Sequence, residues 1–511
     1  MILVKKSNIA GAKRAAFKRI MLFPLLFLLI GCAAAQTFSL FNDQNMIDKG
    51  LIGPYAKANL SSFSVSYLNN GIPVIIKKNE ANTTVTIKTV LLGHVSLTPK
   101  EKAGLEAVTL TMLTKGSQKY SYGDVKRILF ERSSTISPSF ESFDMTSFDL
   151  ITLDKYFDEL FPVYADAFLH PRWDEEEFLR VMNDFKLSKR KAENDAYSRM
   201  VIKLHEKFFE GHPYAASWKG VGNSLESITL EDVKEYYKAA FSSGRIFIVA
   251  AGNFDTKKLL TKINASFGML PQKNFMLPDV PSFLGKVKPA LILEPFEESR
   301  NLAYVRGDYA LPSRDNMDFP ALMVAFNLLN DILFEIVRTQ NGACYSVWAG
   351  TPGFKANYGN ITIYKTAVPR EVKRYIDESI TALLSGRCLA GKVSSSTGEE
   401  GSIGKDGSAS EHKDVFVPIT EALQFYKIQA ITHYYSGQQT NMSIADQIAS
   451  SVVYNHDFRD YLLLIDRINA VTPEDIIRVT KKYLANNPIF WIVLGSSSML
   501  RDVKSSDYLI P

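Results

Sequence analysis

The sequence predicts an α+β protein built from two similar halves, each an antiparallel sheet layered with helices. The first reason is an internal repeat, because residues 228–233 (I-T-L-E-D-V) recur 243 positions later as residues 471–476 (V-T-P-E-D-I). The second is that the predicted strands and helices occur in groups rather than in strict alternation, which favours α+β layers over a doubly wound sheet. The third is that 46% of the 511 residues are hydrophobic, enough for large cores.

The first predicted elements are strands. Residues 63–68 and 72–78 flank Asn69-Asn70-Gly71, a sequence that predicts a β-hairpin. Residues 83–92 predict a third strand. Residues 139–153 alternate between polar and apolar, which is typical of half-buried antiparallel strands.

Helices are predicted between and after these strands. The stretch 98–117 has a capping residue in Thr98, a proline at the first helical position and an acid, Glu101, that can close a capping box. Its apolar residues recur at helical spacing and predict one buried face: Leu105, Val108, Met112 and Leu113. Two longer helices are predicted at 155–169 and 174–193.

The repeat itself predicts equivalent structure in both halves. In each copy a threonine can cap a helix, and Asp232 and Asp475 take the third helical position, where an acid favours the exposed amides. The same offset aligns the apolar runs 246–249 and 489–492, which predict one buried strand after each helix.

The N-terminus predicts export from the cytoplasm. Six basic residues precede an apolar run at 20–31, as in a secretory signal, and the ending Leu29-Ile30-Gly31-Cys32 resembles a bacterial lipobox. Cys32 is therefore the predicted lipidation site, with an ordinary signal peptide or an uncleaved anchor as the alternatives. Without these basic residues the formal charge falls from +5 to −1, so nucleic acid is not an expected partner. Whether Cys344 and Cys388 pair is left open.

These features divide the chain into consecutive segments. The predicted segments are a signal peptide at 1–31, a tether at 32–60, a first half at 61–270, a proline-punctuated linker at 271–289 and a second half at 290–500. A serine- and glycine-rich stretch at 391–414 interrupts the second half and predicts a flexible surface insertion.

The stretch 98–117 resembles the signature helix of the insulinase and mitochondrial processing peptidase family, which usually reads H-x-x-E-H before M-L-x-x-G-T or G-S. In that motif two histidines bind zinc and the glutamate acts on the zinc-bound water. When the sequences are aligned through Met112-Leu113 and Gly116-Ser117, the two histidine positions fall on Ala107 and Thr111. The glutamate position falls on Leu110, and the third zinc ligand of the family, a later glutamate, falls on about Ser188. None of these can hold zinc, so the resemblance implies the family fold without a metal in this chain.

A second family signature lies in the other half. The segment R-T-Q-N-G-A-C-Y, from Arg338 to Tyr345, resembles the family's arginine-tyrosine pair, whose side chains contact the peptide bond at the zinc of the opposite half. A guanidinium and a phenol are donors suited to a carbonyl and to the oxyanion formed from it. From residue types alone, an arginine in a surface ion pair and a core tyrosine are the more usual interpretations, and the family match favours the substrate-binding role instead. The resemblance covers residues 63–500 and implies two halves arranged as a clam-like shell.

The resemblance implies a specific function. Some bacterial relatives work as pairs, with zinc in one chain and the arginine and tyrosine in the other. We therefore expect a zinc-less subunit that binds no cofactor, has no catalytic residues of its own and uses Arg338 and Tyr345 to hold an extended peptide at the zinc of a homologous partner. The expected location is the bacterial cell envelope, through a lipid on Cys32. One alternative is a non-catalytic scaffold of an envelope complex, and another is an independently active enzyme with an unrecognised site.

Overall fold

The computed structural model describes residues 59–390 and 416–509. Four predicted features lie wholly or mostly outside these residues: the signal peptide at 1–31, Cys32, the tether at 32–60 and the insertion at 391–414. The described residues form sheets layered with helices, so the predicted α+β class is confirmed. Residues 271–289 contain no helix or strand. The predicted domain limits remain predictions.

The first sheet has six strands in the order β1-β2-β6-β3-β5-β4. Their bounds are β1 Phe63–Tyr67, β2 Pro73–Lys78, β3 Thr84–Leu92, β4 Thr135–Ser139, β5 Met145–Leu153 and β6 Ile246–Gly252. Neighbouring strands are antiparallel except for the parallel pair β2 and β6. The predicted hairpin is confirmed, because β1 pairs antiparallel with β2 and Gly71 in the turn has a φ of 83°, which glycine adopts without a steric penalty.

Eight helices of the described residues lie between residues 105 and 266, in the same part of the chain as this sheet. They are α1 Leu105–Leu113, α2 Tyr122–Glu131, α3 Phe157–Leu169, α4 Glu175–Glu193, α5 Ala196–Phe208, α6 Ser224–Ser227, α7 Leu230–Ala240 and α8 Thr256–Ser266. The helices predicted at 155–169 and 174–193 are confirmed as α3 and α4. Buried side chains of α3 and α8, such as Leu160 and Ile263, join those of the sheet, such as Phe148, in one hydrophobic core.

The helix predicted from Thr98 begins later than expected. Thr98 and Pro99 have extended backbones, and α1 starts only after Gly104, whose φ is 96°. A Cβ at position 104 would lie 2.9 Å from the Leu225 side chain and 3.3 Å from the carbonyl oxygen of Trp218. The chain therefore turns at this glycine to pack against the segment before α7, and Thr98 is not the helix cap.

The second sheet has five strands in the order β7-β13-β8-β10-β9. The remaining strands are β7 Ala290–Pro295, β8 Ala303–Ala310, β9 Ser346–Gly350, β10 Tyr358–Thr366, β11 Arg387–Leu389, β12 Phe416–Pro418 and β13 Phe490–Gly495, with β11 and β12 forming a separate ribbon. The remaining helices are α9 Phe319–Leu333, α10 Val372–Leu384, α11 Ile419–Ser436, α12 Asn441–Asn455, α13 Asp460–Asn469, α14 Pro473–Thr480 and α15 Ser497–Leu500. Two π-helical turns, Phe334–Gln340 and Lys481–Ala485, extend α9 and α14.

The two sheets follow the same plan. In each, the strand that follows the repeated helix, β6 or β13, is parallel to one neighbour and antiparallel to the other. Thr229 and Thr472 both cap their helices in capping boxes closed by Asp232 and Asp475, as the repeat predicts. Each sheet therefore contains one parallel pair, which the prediction of purely antiparallel sheets did not include.

A helix from the second half packs on the first sheet. Helix α12 lies against β3 and β6, and Asn441 at its start donates to the carbonyl oxygen of Thr84 at 2.5 Å. The ammonium group of Lys88, in β3, lies 2.8 Å from the carboxylate of Asp149 and 3.0 Å from that of Asp446 on α12. Lys88 and Asp149 are buried and both belong to the first half. The contact that links the two halves is the one between Lys88 and Asp446, whose side chain is 49% exposed.

The reverse contact has the same form. Helix α5 of the first half packs on β8 and β13 of the second sheet. There Arg306 lies 2.7 Å from the carboxylate of Asp308, whose other oxygen is 3.1 Å from Nε2 of His205 on α5. Lys88 pairs across the sheet with Val249, and Arg306 pairs with Ile492. Val249 and Ile492 are 243 residues apart, which is the offset of the repeat. The two buried cations therefore occupy equivalent positions.

One helical segment of the described residues, Phe319–Gln340, is long and apolar enough to cross a membrane by length and composition. Of its most apolar window, 67% is buried inside the structure. This burial is typical of the core helix of a globular domain.

Candidate functional site

Arg338 lies in the π-helical turn that extends α9. Most of α9 is buried, so the turn continues from a helix that is held in place by packing. Asn341 then ends the turn by donating from its side chain to the carbonyl oxygen of Ile336 at 2.7 Å, and Gly342 follows with a φ of 56°. π-Helical turns widen a helix and often occur at functional positions. Here the widened turn leaves Arg338 exposed to solvent.

Tyr345 lies directly before the edge strand β9. Its backbone N–H is shared between the carbonyl oxygens of Tyr364 and Lys365, each at 3.1 Å. Its side chain is 67% exposed. The backbone of Tyr345 is thus tied to β10, while its ring and hydroxyl face solvent.

The structure brings Arg338 and Tyr345 together. The guanidinium carbon of Arg338 lies 5.8 Å from the centre of the Tyr345 ring and 4.8 Å from that of Phe334. Within the described residues, Arg338 forms no ion pair with a carboxylate. The surface ion pair and the core tyrosine that residue types alone left open are therefore both absent from this part of the chain. An exposed guanidinium resting on aromatic rings keeps its N–H donors available for a carbonyl or a carboxylate.

The surroundings of the pair are aromatic and open. Trp348 in β9 is 49% exposed. A surface cavity lies along α10, between Arg370, Arg374 and Asp507, and neither Arg338 nor Tyr345 lines it. The pair therefore stands on an open surface of this chain.

Lys365 is a neighbour that the sequence did not predict. It follows Tyr364 in β10 and has a φ of 60°, at a point where the pairing of β10 with β8 shifts register. Its ammonium group lies 5.9 Å from the centre of the Tyr345 ring and 5.3 Å from that of the Tyr364 ring. A β-bulge has no clear sequence signal here, because the bulged residue is a lysine and not a glycine.

The degenerate zinc-motif positions lie elsewhere. The side chains of Ala107 and Leu110 are fully buried, whereas Thr111 is half-buried and donates to the carbonyl oxygen of Ala107 at 2.7 Å. Ser188 is exposed on α4. The described residues contain no group of three or more His, Cys, Asp or Glu side chains that could hold a metal ion.

The acid nearest to this motif is already bound within the protein. Glu106, next to Ala107, is buried and accepts two hydrogen bonds from the Arg245 guanidinium, at 2.6 and 2.7 Å. Burial raises the pKa of Glu106, but Arg245, His94 and the hydroxyls of Thr146 and Tyr236 outweigh it and hold that pKa below its usual value. Glu106 is therefore a structural anion in the fold.

The two cysteines of the described residues are unpaired. Burial raises the pKa of the Cys344 thiol to about 11, against an opposing effect of Arg338, and burial raises the pKa of Cys388 to about 11 as well. Because the thiolate is the reactive form, neither residue is suited to nucleophilic catalysis at neutral pH.

An α+β fold with a neighbouring arginine and tyrosine, and with a helix that has no metal-ligating residues at the aligned positions, resembles proteins of the peptidase type. Residues 227–385 match the family described as Peptidase M16 inactive domain. The chain is 21% identical over 302 residues to the "Non-peptidase homolog YmxG" of Helicobacter pylori, covering 58% of this chain and 69% of that protein. It is 22% identical over 208 residues to the "Probable mitochondrial-processing peptidase subunit beta" of Arabidopsis thaliana, covering 39% of each.

Solved structures agree on the fold. The crystal structure of a peptidase M16 inactive domain from Pseudomonas fluorescens superposes with a TM-score of 0.71 at 15% identity, covering 85% of this chain and 98% of that one. Together these matches confirm the resemblance to the insulinase, or M16, family that was seen in the sequence. The alignment through Met112-Leu113 predicts that Ala107, Leu110 and Thr111 take the positions of that family's zinc motif.

Proposed function

We propose that this chain is the zinc-less subunit of a heteromeric metalloendopeptidase and that Arg338 and Tyr345 bind the peptide substrate. The observation that carries the proposal is the exposed Arg338–Tyr345 pair, with the guanidinium free of carboxylate partners in the described part of the chain. The pair lies in a chain whose own motif helix has only a buried alanine, a buried leucine and a threonine at the metal-binding positions. Such a chain can hold a peptide but needs another subunit to cleave it.

The partner is a homologous subunit that bears zinc, and the substrate is an extended peptide. Zinc in the partner would polarise the scissile carbonyl and activate water. Arg338 and Tyr345 would donate hydrogen bonds to the same carbonyl and to the oxyanion that develops on it. Their open position favours this arrangement, because donors that serve a neighbouring subunit must face outwards. The two halves of the chain would form one side of a clam-like chamber.

The complex would work in the bacterial cell envelope. The basic and apolar N-terminal segment and Cys32 support export and attachment to a membrane through a lipid. The nearly neutral remainder of the chain gives no electrostatic support for a nucleic acid partner.

The proposal is tested by purifying the chain from native membranes with its bound partners and assaying peptide cleavage. We expect the chain alone to be inactive and the recovered complex to be active and to contain zinc. Arg338→Ala should lower kcat by about 100- to 1,000-fold, since removing one oxyanion donor has an effect of that size. Tyr345→Phe, which removes only the hydroxyl, tests the second donor.

Matched controls separate substrate binding from assembly. Arg374 is also exposed and stacked on a tyrosine ring, but it pairs with Glu378, so Arg374→Ala should leave cleavage unchanged. Both arginine variants should associate with the partner as the wild type does. Equal cleavage by the Arg338→Ala complex and the wild-type complex would rule out the proposed role. Recovery of only non-proteolytic partners would instead favour the envelope scaffold.

A further inference from the structure

The surface around Tyr345 carries two cations. We call the set Phe334, Arg338, Tyr345, Tyr364 and Lys365 the Tyr345 patch. Arg338 lies over the rings of Phe334 and Tyr345, and Lys365 lies close to the rings of Tyr345 and Tyr364. The two positive charges therefore share one aromatic side chain as a neighbour.

The backbone holds Lys365 in this position. Its φ of 60° belongs to the left-handed region, which non-glycine residues rarely adopt. The surrounding ladder fixes it there, because β10 pairs with β9 through Tyr364 and with β8 through Thr366 on either side of Lys365. The N–H of Tyr345, shared between the carbonyl oxygens of Tyr364 and Lys365, ties the bulge to the start of β9. The position of Lys365 beside Tyr345 is thus built into the sheet.

Neither cation of the patch is neutralised by the part of the chain that the structure describes. Arg338 and Lys365 form no ion pair there. Glu335, on the same π-helical turn as Arg338, instead accepts a hydrogen bond from the Gln340 side chain at 3.2 Å. Two cations of α10 differ, since Lys373 pairs with Asp377 and Arg374 with Glu378. An unpaired arginine and lysine beside one ring form a site complementary to a carboxylate.

We propose that the Tyr345 patch binds a carboxylate of the peptide substrate and that Lys365 is a specificity-determining residue. The inference rests on the proposed function, which it deepens by naming the preferred substrate class: peptides with an acidic side chain, or with a free C-terminal carboxylate, next to the bond that Arg338 and Tyr345 hold. In this arrangement Arg338 and Tyr345 contact the peptide backbone and Lys365 contacts the carboxylate. Phe334 and Tyr364 flank the two cations and limit their contact with water.

Direct binding to the full chain tests the inference. Short acetylated, fluorescein-labelled peptides are compared in matched pairs: one pair differs only by glutamate against glutamine, and the other only by a free against an amidated C-terminus. We expect the wild-type chain to bind the carboxylate member of at least one pair about fivefold more tightly, the upper range for an exposed ion pair. The pair that shows the preference identifies the source of the carboxylate. The preference should weaken as salt concentration rises.

Variants of Lys365 identify the residue responsible. Lys365→Met keeps the length of the side chain and should bring the ratio of the two dissociation constants close to one, whereas Lys365→Arg should retain the preference. Lys155 is an exposed lysine 4.7 Å from the ring centre of Tyr156, so Lys155→Met is a matched control that should leave the ratio unchanged.

The outcomes separate this inference from the proposed function. Equal binding of both members of each pair, or an unchanged preference in Lys365→Met, overturns the inference while Arg338-dependent cleavage by the complex still stands. A carboxylate preference that depends on Lys365, together with normal cleavage by Arg338→Ala, supports the inference and overturns the catalytic role. Failure of the chain and of the complex to bind every peptide contradicts both.

Discussion

Helix α1 of the first half and helix α9 of the second half occupy the same place in the order of elements along the chain. Helix α1 lies between β3 and β4, and helix α9 lies between β8 and β9. Both are largely buried. Helix α1 stops at Leu113, and its motif positions Ala107 and Leu110 belong to the interior. Helix α9 instead continues into a π-helical turn that carries Arg338 to the surface.

This difference shows that one framework can bury one helix to its end and lead the other to an exposed arginine. The buried cations of the two sheets are alike, because Lys88 and Arg306 occupy equivalent positions and each neutralises a buried aspartate of its own half. The contacts with the opposite half differ, since Lys88 meets Asp446 of α12 whereas Asp308 meets His205 of α5. In α1, Ala107 and Leu110 fit the core at the positions that the sequence aligns with the zinc motif.

The largest effect is expected from Lys88→Met. The change leaves the buried carboxylate of Asp149 without its cation, and stranding a buried charge costs about 3–5 kcal/mol in the free energy of unfolding. Burial already raises the pKa of Asp149. The protonated form of Asp149 needs no cation, so the difference in unfolding free energy between variant and wild type should narrow as pH falls. Urea unfolding at several pH values measures this difference.

Two further variants sharpen the comparison of the two buried cations. Arg306→Met should lower the free energy of unfolding less than Lys88→Met does, since Asp308 keeps its contact with His205. Lys257, an exposed lysine of α8, supplies the control, and Lys257→Met should leave the unfolding free energy nearly unchanged. If Lys88→Met lowered the unfolding free energy as little as Lys257→Met, Lys88 would not stabilise the fold by neutralising Asp149.

A second prediction concerns Ala107 and Thr111, the positions that the sequence aligns with the zinc-binding histidines. Ala107→His places a larger side chain in a fully buried position, and such overpacking typically costs about 1–3 kcal/mol. Thr111→His, at a half-buried position, should cost less. We expect zinc to leave the thermal midpoint of either variant, and of the double variant, unchanged. A zinc-dependent rise in the midpoint of the double variant would mean that the helix still faces a metal-accessible space.

Local patterns predicted the elements whose causes are local. The turn around Gly71 and the helices α3 and α4 follow from turn chemistry and apolar spacing, and Arg338 was found from a motif that keeps its spacing. The start of α1 was missed because Gly104 is placed by contact with Leu225 and Trp218, which are distant in sequence. The local preference of Thr98 to cap a helix is weaker than the packing of Gly104 against these residues.

Lys365 could not be predicted for a related reason. Its position depends on a bulge set by the pairing of β10 with both β8 and β9, and the residue type, a lysine, gives no hint of a left-handed backbone. The contacts of α5 and α12 with the opposite sheets were also beyond reach, because helix periodicity identifies a buried face but not the surface that it meets.

The smallest predicted effect tests whether the two halves remain equivalent at their repeated caps. Thr229 and Thr472 each accept a hydrogen bond from the N–H of the aspartate three residues later, at 3.1 and 3.2 Å. Thr229→Ala and Thr472→Ala should each lower the free energy of unfolding by about 1 kcal/mol, and the double variant should show the sum. Thr261, exposed inside α8, is the matched control, because its change to alanine removes no cap and favours the helix. A clearly larger loss of unfolding free energy for one variant than for the other would mean that the two caps stabilise their halves to different extents.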